Sequence, residues 1–187
     1  PADMVSVTIA NCSGSSGNNL GCASPLYTSK TGMTVASQLP TTSWWPNGSQ
    51  ATLNTTIDGS NALGLGYTAN TNIAGLNLFT FTYPTATAIN QIRMKESAQF
   101  FTSASVFNIQ ASNDGVTWTT LASNQTIGAM SADNYQTLTF ANTTPYTKYR
   151  IVGVSGSTIA NSYINEFEFR TSCTVDSDGD GIYNDID

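Results

Sequence analysis

The densest chemistry in the chain lies in its last twelve residues. Asp176-Ser177-Asp178-Gly179-Asp180-Gly181-Ile182-Tyr183-Asn184-Asp185-Ile186-Asp187 sets carboxylates at loop positions 1, 3, 5 and 12, with glycine at 6 and a β-branched apolar residue at 7. Calcium takes roughly six to eight hard oxygens, and this spacing wraps a short loop around one ion. Asp176, Asp178, Asp180, the Ile182 carbonyl and Asp187 are the expected ligands, and Gly181 permits the sharp turn. A second group of residues is aromatic. Trp44-Trp45-Pro46-Asn47-Gly48 falls in a stretch, 40–56, that reads as loop. Adjacent residues of an extended chain face opposite ways, so both indoles cannot enter one core. Trp44 and Trp45, with Tyr67, Phe100, Phe101 and Tyr163, are candidates to stack on sugar rings. Lys95, Glu96, Gln99 and Asn161 are the polar partners that would take the hydroxyls.

Composition narrows what these groups can do. The 187 residues include no histidine, which removes Ser-His-Asp and Cys-His nucleophiles, His-ligated zinc and imidazole switches. The net charge of −6 is concentrated at one end. With Asp176, Asp178, Asp180, Asp185 and Asp187 set aside, seven acidic and six basic side chains remain. No basic stripe marks a nucleic-acid partner. No apolar run approaches the roughly 20 residues of a membrane span. Glu166 and Glu168 would stand about 7 Å apart on one strand face, a tolerable spacing for a glycosidase pair. No histidine, lysine or tyrosine beside them suggests a tuned pKa, and the reading is that the chain is not an enzyme.

The elements that must position these groups are strands. Charged residues are only 10% of the chain, and Thr, Ser, Asn and 15 glycines supply strand and turn formers instead. Apolar alternation bounded by turn residues predicts strands at Val5–Ile9, Met33–Ala36, Leu76–Tyr83, Ile89–Met94, Val106–Ala111, Val116–Leu121, Tyr135–Phe140, Tyr149–Val154 and Tyr163–Phe169. Phe79, Phe81 and Tyr83 share one face; Phe167 and Phe169 share another, opposed to Glu166 and Glu168. Residues 11–24, 40–56 and 58–72 read as loops. The expected fold is all-β, an antiparallel β-sandwich or jelly roll of about eight strands with a short acidic tail. Residues 1–32 would pack on it as an N-terminal strand and Cys-containing loop, 33–172 would form the sandwich, and 173–187 the calcium loop.

Four short motifs, in order over the body, carry a resemblance. Ile57-Asp58-Gly59, Ser112-Asn113-Asp114-Gly115-Val116-Thr117-Trp118, Tyr149-Arg150-Ile151 and Ile164-Asn165-Glu166-Phe167-Glu168 are similar to the DG loop, S-N-D-G-x-x-W hairpin, penultimate strand and closing I-x-E-x-E strand of the discoidin, or F5/8 type C, domain. They equally resemble its carbohydrate-binding relatives of family 32. The resemblance implies a calcium-stabilised glycan-binding module, with a structural Ca2+ held by Asp58, Ser60, Asn61 and Glu166. The sequence departs from the family after the DG pair, where it reads Ser60-Asn61-Ala62-Leu63-Gly64-Leu65-Gly66-Tyr67. Read from the residues alone, Trp118 is a core plug inside a strand pattern, and Arg150 pairs with Glu166 or Glu168. The acidic tail resembles the start of a thrombospondin type 3 calcium repeat; it differs from an EF-hand in closing on Asp, with no flanking helices.

Three cysteines leave at least one unpaired or bonded outside the chain. Cys12 and Cys22 flank a Gly/Ser loop that closes locally, and this is the pairing adopted. The resemblance implies instead a bridge from Cys12 or Cys22 to Cys173. Either one points to an oxidising, extracellular setting. The expectation is a secreted or cell-surface module, next to neighbouring domains of a longer polypeptide, with a glycan or polysaccharide as partner. Two alternatives stand beside it. A lipid- or protein-binding discoidin module would use Phe100-Phe101 as an apolar spike, although the lack of a basic rim argues against membrane insertion. A structural spacer would need no exposed aromatic cluster at all.

Overall fold

Where polar and apolar residues alternate, one face of the strand must find a partner sheet, and ten strands here do so. The computed structural model describes residues 27–45, 51–160 and 163–171. The strands are β1 (Thr34–Ala36), β2 (Thr41–Trp45), β3 (Gly64–Tyr67), β4 (Asn77–Thr87), β5 (Ile89–Glu96), β6 (Val106–Ser112), β7 (Thr119–Thr126), β8 (Tyr135–Thr139), β9 (Tyr146–Ser155) and β10 (Tyr163–Thr171). One short 3-10 helix, Leu53–Ile57, precedes β3. Two five-stranded antiparallel sheets result, in the orders β1-β4-β9-β6-β7 and β2-β3-β10-β5-β8. The expected sandwich is the fold. The expected strand at Val5–Ile9, the three cysteines and the acidic tail lie outside the described residues.

The core is where the two inner faces meet. Phe79, Phe81, Ile109 and Ile151 from one sheet face Ile92, Met94, Phe167 and Phe169 from the other, all at most 1% exposed. The rings interlock edge to face: Phe167 lies 4.8 Å from both Phe79 and Phe81, and Phe169 lies 4.8 Å from Phe81. Such pairs add about 0.5–1.5 kcal/mol each beyond the area they bury. The alternation expected for these two strands is what the structure contains.

Two strands depart from the sequence reading. Glycine and threonine content made 40–56 and 58–72 look like loops, yet β2 and β3 pair there, with Trp44 opposite Leu65 and Trp45 opposite Gly64. Gly64 is required by packing: a Cβ there would come within 2.9 Å of the Tyr163 Cβ. A third departure is in the hairpin at Ser112–Trp118. Asp114 Oδ1 accepts the N–H groups of Val116 and Thr117, each at 2.8 Å, and Gly115 takes φ +78°. The turn runs three residues longer than expected, so β7 starts at Thr119 and Val116 is 83% exposed at the tip.

Candidate functional site

Burial sorts the expected ligand-binding residues into two groups. Tyr67 is 6% exposed, Phe100 1% and Phe101 0%, and all three belong to the core. They form an aromatic chain, with Tyr67 5.2 Å from Phe100, Phe100 4.7 Å from Phe101 and Phe101 5.0 Å from Phe107. The expectation that they face a ligand is corrected: the segment after β5 turns inward and plugs one end of the sandwich. The apolar spike needed by a lipid-inserting module goes with it. Glu96 is corrected likewise. It is 1% exposed, its Oε2 accepts the Phe100 N–H at 3.1 Å, and its Oε1 is buried without a partner among the described residues. Burial pushes its carboxyl up to about 8, against the smaller pull of the Phe100 N–H. Gln99 is turned to the backbone as well, donating to the Phe101 carbonyl.

The remaining candidates gather on three adjacent strands. β2 is the edge of its sheet, β3 lies next to it and β10 next again. Trp45, Trp44 and Ser43 stand opposite Gly64, Leu65 and Gly66, while Tyr163 stands opposite Gly66 from the other side. The register therefore sets Trp45 and Tyr163 on one face, across Gly64 and Gly66, and Trp44 on the other, in line with the core residues Leu65 and Ile164. Asn165 extends the row and donates from Nδ2 to the carbonyls of Asn61 and Leu63. Tyr163 is half-buried. Asn161 lies outside the described residues.

A second cluster, on the outer face of β8, β5 and β10, was not anticipated. The Arg93 guanidinium stacks 3.9 Å from the Tyr135 ring centroid and 4.8 Å from that of Tyr27, and its Nε donates to Glu168 Oε2 at 2.6 Å. Tyr135 donates its hydroxyl proton to Glu168 Oε1 at 2.8 Å. Burial, reinforced by that anionic acceptor, pushes the phenol up to about 12, so it remains a donor. Lys95 lies 4.6 Å from the Tyr135 ring and donates to the Asp133 carbonyl, and Arg170 lies over Tyr27. Arg93, Lys95 and Arg170 lie over these rings, while Tyr27 stays 44% exposed. The cluster's signal in the sequence was the spacing of Arg93 with Lys95 and of Glu166 with Glu168, two matched pairs readable once their strands are known to be neighbours.

The other aromatic expectation changes sides. Trp118 is half-exposed on the outer face of the other sheet, not in the core. The Arg150 guanidinium stacks 3.9 Å from its ring, and the indole N–H donates to the Gly115 carbonyl. Arg150 Nε donates to Gln110 Oε1 at 2.8 Å. Arg150 therefore does not pair with Glu166 or Glu168, which belong to the opposite sheet.

Of the residues expected to hold a structural calcium, Glu166 holds a different cation and the others are taken up by local hydrogen bonds. Glu166, 2% exposed, has Oε1 paired with the Lys30 ammonium, and its Oε2 accepts the Gly59 N–H at 3.1 Å. Lys30 Nζ also donates to the Phe167 carbonyl at 3.1 Å. Asp58 Oδ1 accepts the Ser60 N–H at 2.7 Å, Ser60 Oγ accepts the Ala62 N–H, and the Asn61 carbonyl is taken by Asn165. Each expected ligand thus has an internal donor, and a divalent ion at Glu166 would have to displace an ammonium. The donor set does not fit calcium at this position. Burial raises the Glu166 carboxyl, and Lys30 and the Gly59 N–H oppose that rise. Glu166 and Glu168 are each matched to a cation of their own, Lys30 and Arg93.

Comparison with solved structures defines the class of fold. The sandwich resembles a CBM32 module of a family 31 glycoside hydrolase from Clostridium perfringens, with TM-score 0.52 and 17% identity over 76% of this chain and 96% of that one. An F5/8 type C domain from Bacteroides fragilis gives TM-score 0.51 at 9% identity, covering 78% and 95%. A CBM32 module from Clostridium perfringens in complex with GalNAc-β-1,3-galactose gives 0.50 at 15%, covering 77% and 99%. The fold is therefore the discoidin-like β-sandwich shared by CBM32 and F5/8 type C domains. No family model matches the sequence, and no curated protein does.

Proposed function

We propose that the chain is a non-catalytic carbohydrate-binding module of a secreted or cell-surface multi-domain protein. The observation that carries this reading is the ladder register that sets Trp45 and Tyr163 on the same face of a CBM32-like sheet, across the small residues Gly64 and Gly66. An indole and a phenol on one face of paired strands would supply stacking surface, with Asn165 next along that face as a polar partner for sugar hydroxyls. A module of the same fold holds GalNAc-β-1,3-galactose. Retention on a polysaccharide panel, or a glycan array, tests the reading. Trp45→Ala is expected to lower affinity about tenfold or more, with unchanged melting temperature. A chain that binds no sugar at millimolar concentration would overturn it.

Calcium enters this reading through the tail, where Asp176, Asp178, Asp180, Ile182 and Asp187 provide the oxygen spacing of a single-ion loop. Calorimetric titration of the intact chain is expected to give one Ca2+ site, lost in Asp178→Ala. Persistence of that site in the variant would remove the tail from the argument.

A further inference from the structure

We propose that Lys30 is a built-in cation, its ε-ammonium standing on the glutamate that the sequence resemblance assigns to a structural calcium, and that by holding Glu166 it lets this carboxylate fix the loop before β3 to the closing strand without metal. The position is the argument. Nζ contacts a carboxylate oxygen of Glu166 and the backbone carbonyl of Phe167, the two kinds of hard oxygen that calcium selects. The remaining oxygen of Glu166 receives the Gly59 N–H, so one buried carboxylate ties together the segment at Lys30, the Asp58-Gly59 turn and β10. A metal ion would perform such a tie by coordination; here the carboxylate makes it, and the ammonium supplies the counter-charge and two N–H donors to β10.

The ammonium is also well held. The Lys30 side chain is 17% exposed and that of Glu166 3%, and the segment carrying Lys30 is registered against β10. Thr28 N donates to the Phe169 carbonyl at 2.9 Å, and Tyr27 bridges to Arg170. The stem therefore approaches from an edge of β10 that β3, paired only at Tyr163 and Ile164, leaves open. A side chain delivered this way arrives with folding and cannot be chelated. A bound ion would add stability only in proportion to its concentration. The inference concerns what holds the loop and is independent of what the module binds.

The test uses the full chain with Asp176→Asn, Asp178→Asn and Asp180→Asn, so that calcium at the tail does not enter the readout. This chain is expected to melt at the same temperature in EDTA and in millimolar calcium. Adding Lys30→Met should lower the melting temperature by about 10 °C in EDTA, with a substantial part recovered in calcium, because the emptied cradle keeps its oxygens. Adding Glu166→Gln with Lys30 intact should also lower it, with no recovery in calcium. If Lys30→Met folds only when calcium is present, the proposal is supported in its strongest form. A rise of several degrees with calcium in the Lys30 chain, lost on adding Glu166→Gln, would overturn it. So would a Lys30→Met deficit equal in both buffers, or no deficit.

Discussion

Phe101→Ala is expected to cost about 3–5 kcal/mol of folding stability and to lower the melting temperature by about 10 °C. The ring is 0% exposed and wedged between Phe100 and Phe107. Its backbone is committed too: the N–H donates to Gln136 Oε1 at 3.3 Å, and the carbonyl accepts Gln99 Nε2 at 2.8 Å. Truncation leaves a cavity at the plugged end of the sandwich, and a wall this densely hydrogen-bonded collapses poorly into it. Urea denaturation reads the loss, and glycan retention measured well below the melting temperature should be unchanged. The opposite pattern, stability intact and retention gone, would return Phe101 to the ligand surface. Together with Trp45→Ala, the experiment separates the aromatic residues that build the module from those proposed to work for it.

The second large effect depends on pH. Glu96 is raised in the folded chain to about 8 from an ordinary 4.5, mainly by burial. Between those two values the folded state holds a proton that the unfolded state has released. Stability therefore falls as pH rises, by at most about 1.4 kcal/mol per pH unit for one group. The contribution is fully present below about pH 4.5 and exhausted by about pH 8. Glu96→Gln should flatten the profile across that window, as read by denaturant midpoints from pH 5 to 8. A slope unchanged by the substitution would show that Glu96 is not its source. Asp114 acts elsewhere: three hydrogen bonds from Val116, Thr117 and Ser112 lower its carboxyl to about 2, so its contribution is lost only as pH drops below the ordinary carboxylate range.

The parts legible in the sequence were those governed by local periodicity. Phe79, Phe81 and Tyr83, or Phe167 and Phe169, declare a buried face by spacing alone, and the two-sheet fold follows from several such runs. β3 hid because Gly64 and Gly66 erase half of its alternation; Leu65 and Tyr67, two apart and both buried, were the surviving signal. The site was harder because it depends on residues distant in sequence. Phe100-Phe101 reads as an exposed spike unless one knows that the chain turns back there under Gln136. Lys30 lies 136 positions from Glu166, and no pattern within either segment announces the pair. Trp118, expected as a core plug, lies on an outer face instead, since a ring half covered by Arg150 and a ring buried in a core look alike as sequence.

The antiparallel docking of residues 27–30 against β10 also sets how the domain would meet a mechanical load. Tyr27 lies beside Arg170, so the two ends of the sandwich unit leave from the same side. A pull between them would act across the strand contacts and peel the leading segment away one link at a time. The Thr28–Phe169 bond yields early, and the Lys30–Glu166 pin is the next obstacle. The other point of attack is the end of β10 itself, so the same force loads its pairing with β5 at Gln91 and Ile89 from the start. The leading segment and the last residues of β10 would therefore share the load, with the Lys30–Glu166 pair resisting their separation.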